Sequence, residues 1–390
     1  MLINSCDNSS SRYVAYGISR LRYLVLVWLW ALPLSSEAAD AKLTASVGAQ
    51  TIVFPAGYHG LNYFPDEPIS LINEKPYQFL MTAGNSTYLM QGRTLESAVP
   101  VKQVLLPGKR SEFDNGYSGI TSTVYDKKAK RLLAFYHAED KVGMPKVAYN
   151  KDIQGAYWSI GMAVLNNGSS VFTKAGQILG PSVKKADVTH DHQGIGDVCV
   201  IADSTNRYLY AYFTDLTRKK KSKPAKVGMA RCRIEDGGKP GSWFKFHNGD
   251  FTEKGLGGME GPVVFPPTAF PCDVFAPHVT YIRKLKKYAM VCNVMVYSDH
   301  EKQRAEKGGI YFCFSDDGIK WSEPDLLVVG HPVPYQGRKY VAHPHLMITR
   351  ATANRASGWL LHCYTPRWGT SAPNQPHHLA KRSITISVQD

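Results

Sequence analysis

Beyond an initial apolar run, the chain has almost no long stretch in which apolar residues recur at helical spacing. Runs of five to eight residues rich in Val, Ile, Tyr and Phe alternate with clusters of turn residues, the pattern of β-strands joined by hairpins. One unit recurs in different wording: a polar entry, an apolar strand, a turn rich in Lys, Asn, Ser or Gly, a second strand heavy in aromatics, and a polar exit. Copies stand at 114–140 ("DNGYSGITSTVYDKKAKRLLAFYHAED"), 196–215, 273–299 and 343–369, with a fainter one at 66–92. Third and fourth strands follow, most clearly in 308–329. There Ser315, Asp317, Gly318 and Trp321 form an Asp-Gly hairpin turn whose Trp packs back on the sheet, a structural role. Such a unit buries its apolar faces only against its neighbours. Four strands in each of five units predict an all-β, five-bladed β-propeller of four-stranded antiparallel blades. The blades lie near 60–108, 112–181, 193–256, 272–330 and 339–389 of a single domain spanning 42–390.

Composition fits a turn-rich globular chain with a large core: of 390 residues, 44% are hydrophobic and 20% charged, with 33 Gly and 23 Pro. Residues 1–41 read differently. Arg20 and Arg22 precede an apolar run from Tyr23 to Leu34 and small residues around Ala38–Ala41, the order of an export signal too short for a stable span. A secreted, periplasmic or cell-surface protein is expected, with no membrane span after cleavage; an uncleaved anchor is the alternative. Cys199, Cys232, Cys272, Cys292, Cys313 and Cys363 would remain. Their wide spacing and mostly apolar settings point to buried thiols for most of them, and no pair has metal-finger spacing. Part of the net charge of +14 lies in the lysine run at 217–226. Without an accompanying motif that run reads as a solvated hairpin loop, and no nucleic-acid partner is expected. A basic surface favours an acidic substrate or an anionic envelope.

In a propeller, first strands start and second strands end at one face beside the axis, so those side chains converge on one pocket. The entries supply Asp66 and Glu67, Asp114, Asp197 preceded by His190, Asp191 and His192, Glu260 and Asp273, and His343 with His345. The exits supply His137, Glu139 and Asp140, then Asp215, Tyr297 and Asp299, and finally Tyr364, Arg367 and Trp368. Glycosidic bond cleavage needs this kind of set: a carboxylic acid to protonate the leaving oxygen, a carboxylate to activate water or attack the sugar, and a third charge to tune them. Aromatics such as Trp368, Tyr364 and Tyr117 can stack on sugar rings.

The entry "GDVCVIAD", the "EGP" at 260–262, the "APHV" at 276–279 and "SDDGIKW" resemble the five-bladed propeller glycoside hydrolases of families 32, 43 and 117, over roughly residues 60–388. The resemblance implies an aspartate base, an orienting aspartate and a general acid on successive blade entries. Asp197 resembles the entry aspartate of a middle blade and Glu260 a general acid on the next. Asp273 is the alternative acid, because Phe275 occupies the glutamate position that would precede "APHV" in family 43. Asp66 or Asp114 would be the base, although the usual first-blade Asp-Pro signature is absent. His343 or His345 resembles an axial histidine facing a water-coordinated cation, so a structural Ca2+ in the channel is implied, with no cofactor required; in family 117 such a histidine can act as the acid. The expected activity is an exported glycoside hydrolase with Asp114, Asp197, Glu260 and Asp273 as catalytic candidates. Asp66, His137, Glu139, Asp215, Tyr364, Arg367 and Trp368 would bind substrate. A carbohydrate-binding propeller without catalysis is the alternative.

Overall fold

The computed structural model describes residues 42–147, 150–217, 224–263, 265, 272–299, 304–333, 337–369 and 377–389. The expected export segment and the centre of the lysine run lie outside them. No helix among the described residues is long and apolar enough to cross a membrane. Residues 42–390 form one compact unit, all-β and built of antiparallel sheets in chain order.

Sheet I holds Ser70–Glu74, Tyr77–Ala83, Ser86–Gly92 and Val99–Leu105. Sheet II holds Tyr117–Asp126, Arg131–Asp140, Ala156–Leu165 and Thr173–Leu179, and sheet III holds His192–Ala202, Tyr208–Asp215, Lys226–Arg233, Phe244–His247 and Asp250–Lys254. A short parallel pairing of Ala156–Trp158 with His192–Gly194 joins sheets II and III. Sheet IV holds Cys272–Ile282, Lys287–Asp299, Arg304–Ser315 and Asp325–Val329. Sheet V combines Tyr340–Ala351, Arg355–Thr365 and His378–Val388 with two strands from the other end of the domain, Leu43–Val47 and Thr51–Phe54, both antiparallel to His378–Val388.

These strands read as nearly continuous apolar runs because both faces of the sheets are covered. Leu80 and Val104 of sheet I share a buried cluster with Ile120 and Tyr136 of sheet II, and Phe135 and Ile160 of sheet II share another with Ile195 and Leu209 of sheet III. Tyr212 and Met229 pack on Val279 and Met290, and Val291 and Ile310 on Val341 and Leu360. Phe54 and Leu361 of sheet V then pack on Phe79 and Met90 of sheet I. Each sheet is thus buried against its successor, and the fifth against the first.

Side-chain acceptors stitch the successive sheets together. Backbone N–H groups of Ile120, Val200, Val279 and Leu346 donate to Thr87 Oγ1 (2.9 Å), Ser122 Oγ (2.9 Å), Cys199 Sγ (3.3 Å) and His278 Nδ1 (3.2 Å). Removing such an acceptor strands a buried donor, so Ser122→Ala is expected to cost about 1–3 kcal/mol, read as a lower denaturant midpoint at unchanged slope. The turn at Ser315–Trp321 forms as expected. Asp317 Oδ1 accepts from the N–H groups of Ile319 and Lys320 (2.8 Å each), Gly318 takes φ 77°, and the Trp321 indole donates to Gly318 O (3.2 Å). Cys199, Cys232, Cys292, Cys313 and Cys363 are buried free thiols, and Cys272 is partly buried.

Candidate active site

Three of the first strands carry the same irregularity near their start. The pairing register slips between Gly196 and Cys199, between Phe275 and His278, and between Ala342 and His345. At each slip a non-glycine residue adopts left-handed backbone: Asp197 (φ 45°), Ala276 (φ 49°) and His343 (φ 50°). A bulge of this kind re-aims its side chain, and the strain of a left-handed non-glycine persists only where surrounding contacts enforce it. The contacts are visible. The N–H of Asp197 donates to His137 Nδ1 (3.1 Å), that of Ala276 to Thr214 Oγ1 (2.8 Å), and that of His343 to Asn293 Oδ1 (3.1 Å).

Asp197 is the centre of the densest ionisable cluster. Its Oδ2 accepts from the Thr214 hydroxyl (2.7 Å) and its Oδ1 lies 3.3 Å from His137 Nδ1. Glu67 Oε1 lies 3.1 Å from the same Nδ1. On the far side of the ring, Nε2 faces Glu139 Oε1 at 3.9 Å, and Glu139 Oε2 is paired to Lys141 Nζ at 2.9 Å. The rings of Trp158 and Tyr117 stand 4.6 and 5.4 Å from that of His137. Gly196 leaves the necessary room, since a Cβ there would come within 2.6 Å of His137 Cε1.

Burial divides these groups into proton holders and anions. It lifts Glu67 to about 8, with the charge of Asp197 adding, and lifts Asp66 to about 8, with Glu139 adding. Glu67 is only 2% exposed, whereas Asp66 keeps an accessible edge. For Asp197 burial acts against ionisation, but the hydrogen bond and charge of His137, with help from His343 and Thr214, hold the carboxyl below its usual range. Glu139 is likewise lowered despite burial, by Lys141 and then His137. Burial opposes charging His137, yet Glu67 and Asp197 outweigh it and hold the imidazole well above its ordinary value. Glu67 and His137 are thus both shifted towards their protonated forms, and Asp197 towards its anion.

The sign of the pH effect follows. Asp66 and Glu67 hold a proton up to about pH 8 when folded, but release it near 3.8 and 4.5 when unfolded. Their contribution to stability is complete below pH 3.8 and drains away as the pH rises through about 8. Melting temperature is therefore expected to fall across that window, and Asp66→Asn or Glu67→Gln to flatten the fall; an equally steep fall in both variants would refute the assignment.

An aromatic group borders the cluster. The ring of His377 lies 4.9 Å from Tyr63, 5.2 Å from Tyr340 and 5.4 Å from Trp368. The Tyr340 phenol is raised well above its ordinary value by burial, with the charges of Asp66 and Asp197 contributing. Trp368 also stands 5.1 Å from the ring of Tyr340. Arg367 is exposed, and Tyr364 is half-buried, with Lys339 Nζ 5.8 Å from its ring centroid.

The other expected acids have different partners. Asp114, fully buried, accepts from Ser118 (3.2 Å) and the Tyr136 hydroxyl (3.0 Å) and pairs with Lys174 (2.5 Å). Asp273 accepts from Ala225 N–H (2.5 Å) and the Tyr297 hydroxyl (2.8 Å). Glu260 accepts from Ser182 N–H (2.8 Å) and hydroxyl (2.5 Å) and pairs at 2.6 Å with Lys245, which is fully buried and also donates to Gly180 O and Gly258 O. Asp215 accepts from Thr217 N–H (2.8 Å) and hydroxyl (2.5 Å), with burial raising its carboxyl. The ring of His345 lies 4.0 Å from that of His278, tilted by 52°, and burial holds both below their ordinary values. The structure thus brings together Asp66, His137, Glu139, Asp197 and His343, sets Trp368 beside Tyr340 and His377, and engages Asp114, Glu260 and Asp273 with other groups. Glu67, named only as an entry residue, joins the centre; Trp158 and Lys141, with no repeat position to flag them, are additions.

The sheet-built fold is shared with solved structures. The sequence matches no family model and no curated protein. A family 117 glycoside hydrolase from Zobellia galactanivorans superposes with a TM-score of 0.50 at 12% identity, over 90% of this chain and 94% of that one. A structure described as a glycoside hydrolase gives 0.51 at 12% identity, over 84% and 92%. An N-acetylgalactosamine deacetylase from F. plautii gives 0.50 at 10% identity, over 88% and 95%. At these identities the likeness is one of fold, and it is the resemblance expected from the repeat.

Proposed function

We propose that the protein is an exported glycoside hydrolase that cleaves a polysaccharide or oligosaccharide in the pocket of a five-bladed propeller. The cyclic burial of sheet I on II, II on III, III on IV, IV on V and V on I supports the propeller reading. The observation that carries the function is the pairing of a proton-holding carboxyl, Asp66, with ionised Asp197 around His137. Hydrolysis of a glycoside needs one carboxyl of each kind. Asp66 is the proton donor in this reading, since it keeps an accessible edge that Glu67 lacks. Asp197 is the carboxylate that activates water, and Trp368 with Tyr63 offers apolar faces to a sugar ring. The basic composition favours an acidic glycan.

The test is reducing-sugar release from a panel of neutral and acidic polysaccharides and aryl glycosides. Turnover of at least one substrate is expected. Glycan binding on an array with no sugar released from any substrate would replace the reading with that of a carbohydrate-binding module.

A further inference from the structure

The centre around His137 holds more lone pairs than its own donors can satisfy. Glu67 Oε1 and Asp197 Oδ1 lie 3.1 and 3.3 Å from His137 Nδ1, and one ligand atom of each residue falls within 4.8 Å of the other two. The neutral imidazole has a single lone pair at Nδ1; where it accepts the Asp197 N–H, the two carboxylate oxygens face that nitrogen with no hydrogen between them. That convergence favours a proton or a cation, and an ion there takes the lone pair in place of the N–H. A second observation points the same way. Glu67 Oε2, on a side chain 2% exposed, is buried without a hydrogen-bond partner among the described residues, as is Nδ1 of His343, whose ring acts electrostatically on Asp197.

We infer that Glu67, His137 and Asp197 form a binding site for a first-row divalent cation. Adjacent ligands held about 2.1 Å from such an ion lie roughly 3.0–3.4 Å apart, the spacing found here. One imidazole nitrogen and two carboxylate oxygens suit manganese or zinc better than calcium, which collects six to eight oxygens. Three protein ligands leave a coordination position open for water. The site stands on its own geometry. If the hydrolase reading also holds, the ion takes over from Asp197 the task of holding the water, and Asp66 remains the proton donor.

The probe is Mn2+, titrated into untagged, chelator-stripped protein by calorimetry, with retained metal measured after dialysis. One ion per chain and a raised melting temperature are expected. Affinity should fall about tenfold or more in Asp197→Asn and in Glu67→Gln, and be unchanged in Glu235→Gln, an exposed surface acid. No saturable uptake, or equal uptake in all the variants, overturns the site. Should the buried variants fail to fold, the wild type decides: electron spin-echo modulation from a directly bound imidazole nitrogen supports the site, and its absence overturns it. Uptake is scored apart from turnover. Uptake without sugar release supports the site and removes the glycosidase reading, whereas sugar release by a protein that takes up no ion does the reverse.

Discussion

Asp197→Asn is expected to lower sugar release by on the order of 10³-fold while leaving the fold intact. Asparagine is isosteric, and its side-chain oxygen can still accept from the Thr214 hydroxyl, which approaches Oδ2 at 2.7 Å. The backbone N–H that reaches His137 Nδ1 at 3.1 Å is unaffected. What disappears is the negative charge. Without it His137 loses one of the two carboxylates that hold it protonated, and the pocket loses its ionised partner to Asp66. The measurement is kcat/KM on whichever substrate the panel identifies, alongside a thermal melt. A variant keeping more than about a tenth of wild-type activity would remove Asp197 from the chemistry, and a collapsed melt would make it a structural residue.

Lys245→Met is expected to have the largest effect on stability, a loss of about 3–5 kcal/mol. Lys245 is fully buried and its three ammonium hydrogens are met by Glu260 Oε1, Gly180 O and Gly258 O, each at 2.6 Å. Methionine fills the space but leaves Glu260, with a side chain only 2% exposed, as an uncompensated buried charge. The melt should move down by on the order of 10 °C. Adding Glu260→Leu should restore much of the loss, because an apolar pair removes the stranded charge. If Lys245→Met melts like the wild type but loses sugar release, Glu260 acts as the general acid and its pairing with Lys245 tunes it.

The strands were legible because each needs only local chemistry: an apolar run, a turn residue, an aromatic return. The repeat likewise marked where side chains would gather, and Asp66, His137, Glu139 and Asp197 meet there. Direction was not legible. Successive residues of a strand face opposite sides, and nothing local states which side Asp114 or Asp273 takes; Asp114 turns to Tyr136 and Lys174, and Asp273 to Ala225 and Tyr297. The bulges at Asp197 and His343 depend on acceptors from neighbouring sheets, His137 and Asn293, and so leave no trace in the local pattern. Lys245 hid for the same reason, as a lone lysine in a strand looks like surface until its carbonyl partners are known. Glu67, also part of the centre, stood beside Asp66 at an entry where one acid sufficed for the pattern.

Among the described residues, the strands at 43–54 pair only with 378–388. Whatever order sheets I to IV assemble in, this clasp forms only when segments almost a whole domain apart in sequence meet. Until then Leu43–Val47 and the edge of sheet V are open strands that invite pairing with another chain. A competing peptide copying 43–54 would be most disruptive in that interval and inert afterwards, so the same clasp that joins the two ends of the domain is its window of vulnerability during synthesis.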